Sequence, residues 1–325
     1  MHTTFLSCDW GTSSFRLRLI DITSEKTLAE SSSNEGIAHV YAEWKNTGKD
    51  ENERVHFYLS ILENHISKIE ESTATGVGNI PVIISGMASA TIGIMELSYS
   101  IFPFLLTGEN LKFKKIDKTH SFAHDLVIVS GARTDHDVMR GEETQLLGCT
   151  SIDTPGKQIF IFTGTHSKHI TTIDGSATAI QTYMTGEFFE LLARKSILSD
   201  SVTAGGSIED KENKLAFEQG VQDSLRQNLL HHSFMVRTNQ LFKRFSKTEN
   251  YFYLSGLLIG AELSQVSTKD ADAITIVGDN KIVVNYLLAL EVLNIKTSVS
   301  TVDAAIATIR GQTAIYRNLY ESTNK

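Results

Sequence analysis

Asp9-Trp10-Gly11-Thr12-Ser13-Ser14 runs into Phe15-Arg16-Leu17-Arg18-Leu19, and Phe162-Thr163-Gly164-Thr165-His166-Ser167-Lys168 repeats the same logic at the start of the second half. In residues 15–19 apolar and basic side chains alternate, the period of a half-buried antiparallel strand. Residues 9–14 read as the hairpin turn leading into it, and residues 27–33 as a third strand. A turn of glycine and hydroxyl residues can offer backbone N–H and side-chain O–H groups to phosphate oxygens. A carboxylate beside it can hold Mg²⁺ through water, because that ion keeps several of its waters. Taken alone, either turn reads equally well as an ordinary hairpin whose Asp and Ser serve turn geometry. The pair is more specific, and implies two pseudo-equivalent lobes that hold a nucleotide's phosphates. Neither turn is a Walker A loop, and G-x-G-x-x-G is missing.

Outward from these turns, apolar runs end in a small polar residue and glycine: Val82-Ile83-Ile84-Ser85-Gly86, Val127-Ile128-Val129-Ser130-Gly131 and Ile159-Phe160-Ile161-Phe162-Thr163-Gly164. Ile274-Thr275-Ile276-Val277-Gly278 is close to this pattern. Such runs predict strands buried on both faces of a mixed sheet, with ligands gathered at their carboxyl ends. Leu254, Leu257, Leu258 and Ala261 follow helical spacing, and Phe217, Val221, Leu225 and Leu229 recur every four residues. Asp279 and Asp303 are placed to cap helices running to about Leu293 and Tyr316. Alternating strands and helices predict an α/β protein.

Length and composition narrow the classes. At roughly 150 residues per domain, 325 residues suggest about two domains. The polar stretch 150–157, with Pro155-Gly156, is the expected boundary, dividing the chain into 1–155 and 156–325. Residues 47–54 and 112–118 read as charged surface segments. A net charge of −8 argues against a nucleic-acid partner. Two cysteines, Cys8 and Cys149, exclude a disulfide scaffold or a multi-Cys zinc site and fit a reduced, cytoplasmic setting. No run approaches about 18 apolar residues, so no membrane span is expected. The first ten residues lack the basic segment of a signal peptide. A homodimer is compatible with all of this.

A third constellation is Val138-Met139-Arg140-Gly141-Glu142-Glu143-Thr144-Gln145-Leu146-Leu147-Gly148, after the loop Arg133-Thr134-Asp135-His136-Asp137. A carboxylate at a helix start can accept a proton from a bound hydroxyl. It equally reads as an acidic first turn that stabilises the helix dipole.

Together with Ser85-Gly86-Met87, Met184-Thr185-Gly186-Glu187 and Leu254-Ser255-Gly256-Leu257-Leu258-Ile259-Gly260-Ala261-Glu262, these motifs resemble 2-dehydro-3-deoxygalactonokinases over nearly the whole chain. The resemblance implies the two-lobed actin-like ATPase (ribonuclease H-like) fold. It also implies transfer of the ATP γ-phosphoryl to the 6-hydroxyl of 2-dehydro-3-deoxy-D-galactonate in galactonate catabolism. By resemblance, Asp9, Gly11, Thr12 and Ser13 form the first phosphate loop and Thr163, Gly164 and Thr165 the second. Asp9 orients Mg²⁺, and Gly278 lies at the adenosine end in the C-terminal lobe. Glu142 is the first choice for the base, with Asp137 and Asp135 as rivals. Arg16, Arg140 and Lys168 are candidates for the substrate carboxylate; His166, Ser85 and Glu187 for sugar hydroxyls. Arg16 and Lys168 also read as surface residues. A related 2-keto-3-deoxy sugar acid, an exopolyphosphatase-like phosphohydrolase and a non-catalytic nucleotide-binding module are the alternatives.

Overall fold

Nearly unbroken burial from Thr4 to Trp10 marks a strand covered on both faces, and the chain builds its first sheet around it. The computed structural model describes residues 2–73, 76–149, 155–226, 228–264, 266 and 271–321. The chain runs β1 (Thr4–Trp10), β2 (Phe15–Asp21), β3 (Thr27–Ser33), α1 (Ile37–Asn46), α2 (Arg54–Ser72), β4 (Val82–Gly86), β5 (Ser100–Ile101), β6 (Phe104–Leu105), β7 (Phe113–Ile116), β8 (Leu126–Val129), β9 (Ala132–Arg133), β10 (Val138–Met139) and α3 (Glu142–Cys149). It continues through β11 (Lys157–Phe162), β12 (Ser167–Ile173), β13 (Ser176–Tyr183), α4 (Thr185–Lys195), α5 (Lys211–Ser224), α6 (Leu229–Leu241), α7 (Lys247–Leu263), β14 (Ala273–Gly278), α8 (Asn280–Val292), β15 (Ser298–Asp303) and α9 (Ala304–Tyr320).

Two compact units result. The first comprises Met1–Pro155, Asp174–Ala179 and Ala304–Lys325, and the second Gly156–Ile173 and Ile180–Asp303. This differs from the expected division at 155/156, because 174–179 and 304–325 belong to the first unit. Local periodicity finds a helix at the chain's end but does not say which sheet it covers. Of the expected boundary stretch, residues 150–154 lie outside the described residues.

The first unit's main sheet has the order β3-β2-β1-β4-β8-β7, and the second unit's strands follow β13-β12-β11-β14-β15. β1 pairs antiparallel with β2 and parallel with β4; β11 likewise pairs antiparallel with β12 and parallel with β14. Counted along its own strands, each unit's sheet therefore shares the order 3-2-1-4, which the first continues as 6-5 and the second as 5. This is the actin-like, ribonuclease H-like arrangement that the resemblance implies. The first core gathers Leu6, Cys8, Trp10, Leu17 and Ile84 under α1 and α2. The second gathers Ile161, Phe217, Val221, Ile276 and Tyr286.

Two local expectations change, and a third gains detail. The four-residue recurrence at 217–229 spans two helices: α5 ends at Ser224, and the Asn228 side chain caps α6 by accepting from the Leu230 N–H at 2.8 Å. A period near four cannot distinguish one helix from two in line, whereas a cap residue can. Segment 112–118 is charged surface as expected, and it carries β7, an edge strand whose lysines keep that edge soluble. Arg18, expected on an exposed strand face, is buried because Glu30 takes its Nε at 2.7 Å.

α3 and α9 meet backbone to backbone. A Cβ at Gly311 would lie 1.8 Å from the Thr144 carbonyl oxygen, and one at Gly148 1.9 Å from that of Ala307. Gly311→Ala should therefore destabilise the protein by about 1–3 kcal/mol through overpacking, despite the roughly 1 kcal/mol alanine gains over glycine in a helix. Urea denaturation checks this; an unchanged or raised midpoint would mean that the helices can part freely.

Candidate active site

The first unit's site is set by register. Asp9 pairs across to Arg16 on β2 and to Ser85 on β4, so three expected site residues form one row over β2, β1 and β4. Directly opposed residues in adjacent strands project to the same face. Asp9 belongs to β1 itself; the turn proper is Gly11 to Ser14, closed by the Gly11 N–H donating to the Ser14 carbonyl at 2.9 Å. Thr12 and Ser13 are exposed on it. Ile37 and Ala38 at the start of α1 donate their N–H groups to the Gly11 and Thr12 carbonyls, so helix and turn complete each other's hydrogen bonding. Burial raises the Asp9 pKa, opposed by Arg18 and then Arg16. Arg16 is exposed. Ser85 is buried, and its Oγ accepts from Gln312 Nε2 at 2.8 Å, a contact α9 supplies.

At the start of α3 both carboxylates fold back on the corner. Glu142 accepts from the Arg140 N–H at 2.9 Å and Glu143 from the Gly141 N–H at 2.8 Å. The Arg140 guanidinium donates to the Ser89 carbonyl and hydroxyl, both at 2.7 Å, and lies over the Tyr99 ring. Asp137 closes its own loop: its N–H donates to Thr134 Oγ1 and its carboxylate accepts from the Val138 N–H at 2.8 Å. Asp135 is exposed.

Glu143 is fully buried, and burial, reinforced by the neighbouring Glu142 charge, pushes its pKa up to about 7. Folding therefore strengthens proton binding here. The resulting stability is fully present below the ordinary carboxyl pKa of about 4.5 and is lost as pH rises through about 7. Glu143→Gln stays neutral and can still accept from Gly141. It should remove this loss, worth on the order of 3 kcal/mol relative to wild type above pH 7. Parallel stability–pH curves for the two proteins would refute it.

In the second unit the corresponding turn joins β11 to β12. Thr163 donates its N–H to the Val277 carbonyl at 2.8 Å, and a Cβ at Gly278 would lie 1.9 Å from Thr163 Oγ1. Gly278 is buried beneath the turn, and its missing side chain lets Thr163 approach. Gly164, Thr165 and His166 are exposed. His166 Nε2 pairs with the Glu187 carboxylate at 2.5 Å, and the Glu187 N–H donates to the Thr165 carbonyl, which ties α4 to the turn. Lys168 is buried, which removes the reading of it as a solvated hairpin residue; its Nζ reaches the His166 carbonyl at 3.3 Å.

Beside this turn opens a cavity of about 360 Å³, lined among others by Gly164, Thr165, Thr185, Ser255, Asn285 and Tyr286. Sequence reasoning quoted the motifs containing Thr185 and Ser255 without assigning them to a pocket, and missed Asn285 and Tyr286 altogether. Glu262, an acidic residue closing an apolar helix, was a legible signal of a buried polar site. Among the described residues no cluster of three or more His, Cys, Asp or Glu side chains could hold a metal, and no helix is long and apolar enough to cross a membrane.

The sequence profile of 2-keto-3-deoxy-galactonokinases matches residues 9–315. A Rhizobium meliloti (strain 1021) protein described as a probable 2-dehydro-3-deoxygalactonokinase is 32% identical over 97% of both chains. The 2-dehydro-3-deoxygalactonokinase of Escherichia coli (strain K12) is 28% identical, covering 69% of this chain and 75% of its own. The crystal structure of a candidate 2-dehydro-3-deoxygalactonokinase from Sinorhizobium meliloti superposes with a TM-score of 0.80, at 30% identity over 97% of both chains. The chain belongs to the 2-keto-3-deoxy-galactonokinase family and is a phosphotransferase.

Proposed function

We propose that the chain transfers the γ-phosphoryl group of ATP to the 6-hydroxyl of 2-dehydro-3-deoxy-D-galactonate in galactonate catabolism. Family membership supports the reaction, and the observation that carries it to particular residues is the repeated turn. Two sheets that share the strand order 3-2-1-4 each turn from the first strand to the second through a Gly/Thr segment with exposed residues. Gly11, Thr12 and Ser13 in one unit, and Thr163, Gly164 and Thr165 in the other, are assigned to phosphate oxygens. The cavity beside Thr165 is assigned to the nucleoside.

Asp9 suits Mg²⁺ of the kind carried on a nucleotide. It is a single half-buried carboxylate without further acidic ligands among the described residues, and this ion prefers one or two carboxylates together with waters and substrate phosphates. When bound, Mg²⁺ neutralises charge on the transferring phosphoryl. Arg16 is exposed in the Asp9 row and is assigned to the substrate carboxylate. Arg140 and Lys168 are assigned there as charge, and Ser85, His166 and Glu187 to sugar hydroxyls. Glu142 is assigned as base, with Asp137 as its rival. Two free cysteines and a reaction that consumes ATP accord with the cytoplasm.

The test is coupled ADP release across a panel of 2-keto-3-deoxy sugar acids, with polyphosphate as a control. Turnover with the galactonate-derived acid is expected to dominate. Turnover only with another sugar acid would overturn the substrate, and phosphate release from polyphosphate without an acceptor would overturn the kinase reading.

A further inference from the structure

Glu262 sits at the C-terminal end of α7, where the helix dipole disfavours negative charge, and it is almost fully buried. Its carboxylate is nevertheless saturated with donors. Oε1 accepts from Ser167 Oγ at 2.7 Å and from His169 Nε2 at 2.8 Å; Oε2 accepts from Thr185 Oγ1 and from Tyr286 OH, the latter at 2.9 Å. A carboxylate offers about four lone-pair sites, and here each oxygen takes two donors. Burial pushes the Glu262 pKa up, but the hydrogen bond and charge of His169, with the hydrogen bonds from Thr185 and Ser167, together outweigh it and leave it lowered, which favours the anion.

The consequence falls on the cavity. Thr185 lines it, with the ring of the buried Tyr286 beside it, and the Thr185 hydroxyl has a single proton. With that proton committed to Glu262, only oxygen lone pairs remain for a ligand. We propose that Glu262 fixes the Thr185 hydroxyl as an acceptor in the cavity, so that this wall selects a ligand bringing an O–H or N–H donor. On the reading of the cavity as the nucleoside site, on which this inference rests, those donors are the ribose hydroxyls or the exocyclic amino group of adenosine. Phosphate oxygens have no proton to give and would meet lone pairs backed by a buried anion. They are turned away from Thr185 and toward the exposed Gly164–Thr165 backbone, which lines the same cavity. Glu262 is thus a positioning residue that sets the polarity of the wall without reaching the ligand.

The test titrates the full chain calorimetrically, without acceptor, using ATP, 2′-deoxy-ATP, 3′-deoxy-ATP and purine riboside 5′-triphosphate, which lacks the amino group. At least one of the three analogues should bind wild type about tenfold more weakly than ATP, the scale of one neutral hydrogen bond. Whichever loses affinity identifies whether ribose or base meets the wall. Thr185→Val should bind ATP about tenfold more weakly and treat ATP and that analogue alike, while Thr185→Ser restores the preference. In Glu262→Gln an amide can donate to the Thr185 hydroxyl and free its proton, so the preference should fall below about twofold. Wild type binding all four nucleotides equally, or Thr185→Val keeping the wild-type preference, overturns the inference while the kinase reading stands. Absence of ATP binding to wild type overturns both. The wild-type comparison stands even if a variant fails to fold.

Discussion

Asp9→Asn is expected to lower kcat about 10²–10⁴-fold while leaving the thermal midpoint unchanged or slightly raised. The two halves of this expectation have separate causes. On the proposed role, Asp9 would hold Mg²⁺ through its waters and so contribute where charge develops in phosphoryl transfer, and asparagine lacks the charge. For folding the sign is opposite. Burial at the end of β1 raises the Asp9 pKa against the pull of Arg18 and Arg16, so the fold disfavours its ionised form. Asparagine has the same shape and no charge to bury. Steady-state kinetics with added Mg²⁺ and a thermal melt on the same preparation decide it. Near-normal turnover at saturating Mg²⁺ would remove Asp9 from the machinery, and a large fall in the midpoint would make it a structural residue.

Glu142→Gln is expected to keep ATP binding and cut kcat by about 10²–10⁴-fold, the scale of a general base. The substitution is clean. Glutamine retains an oxygen that can accept from the Arg140 N–H, so the corner of α3 keeps the hydrogen bond that Glu142 makes there. What it loses, on the proposed assignment of Glu142 as base, is the capacity to take the proton of the attacking hydroxyl. That capacity need not be large, because in a loose transition state the hydroxyl gives up its proton late. Asp137→Asn and Asp135→Asn should each do less. Asp137 spends its carboxylate partly on the Val138 N–H, and Asp135 is exposed. Turnover abolished by Asp137→Asn and largely intact in Glu142→Gln would move the base into the preceding loop and leave Glu142 as a helix cap.

Much of the fold was legible because its signals are local. Alternation in residues 15–19, β-branched runs ending at Gly86 and Gly278, and Asp279 before an apolar helix each depend on a few neighbours. The strands and the α8 cap follow them: Asp279 accepts from the Lys281 N–H at 2.9 Å. The recurrence at 217–229 misled, because spacing carries no information about a break that Asn228 creates. Arg18 and Lys168 read as surface residues for a related reason. A basic side chain in a strand is solvated by default, and only a partner from elsewhere justifies its burial, as Glu30 does for Arg18.

The sequence by itself determined the two turns, the class of fold, the family and the residue types able to handle phosphate, because each is written in short contiguous motifs. Tertiary structure alone decided which distant residues share a surface. It ran Arg16, Asp9 and Ser85 in one row by strand register, and brought Gln312 of the last helix to Ser85. It also converged Ser167, His169, Thr185 and Tyr286 on Glu262 from three elements, β12, α4 and α8. Register and helix return are long-range choices, made by burying whole faces at once, and a buried carboxylate is stable only where several chain segments meet to supply its donors.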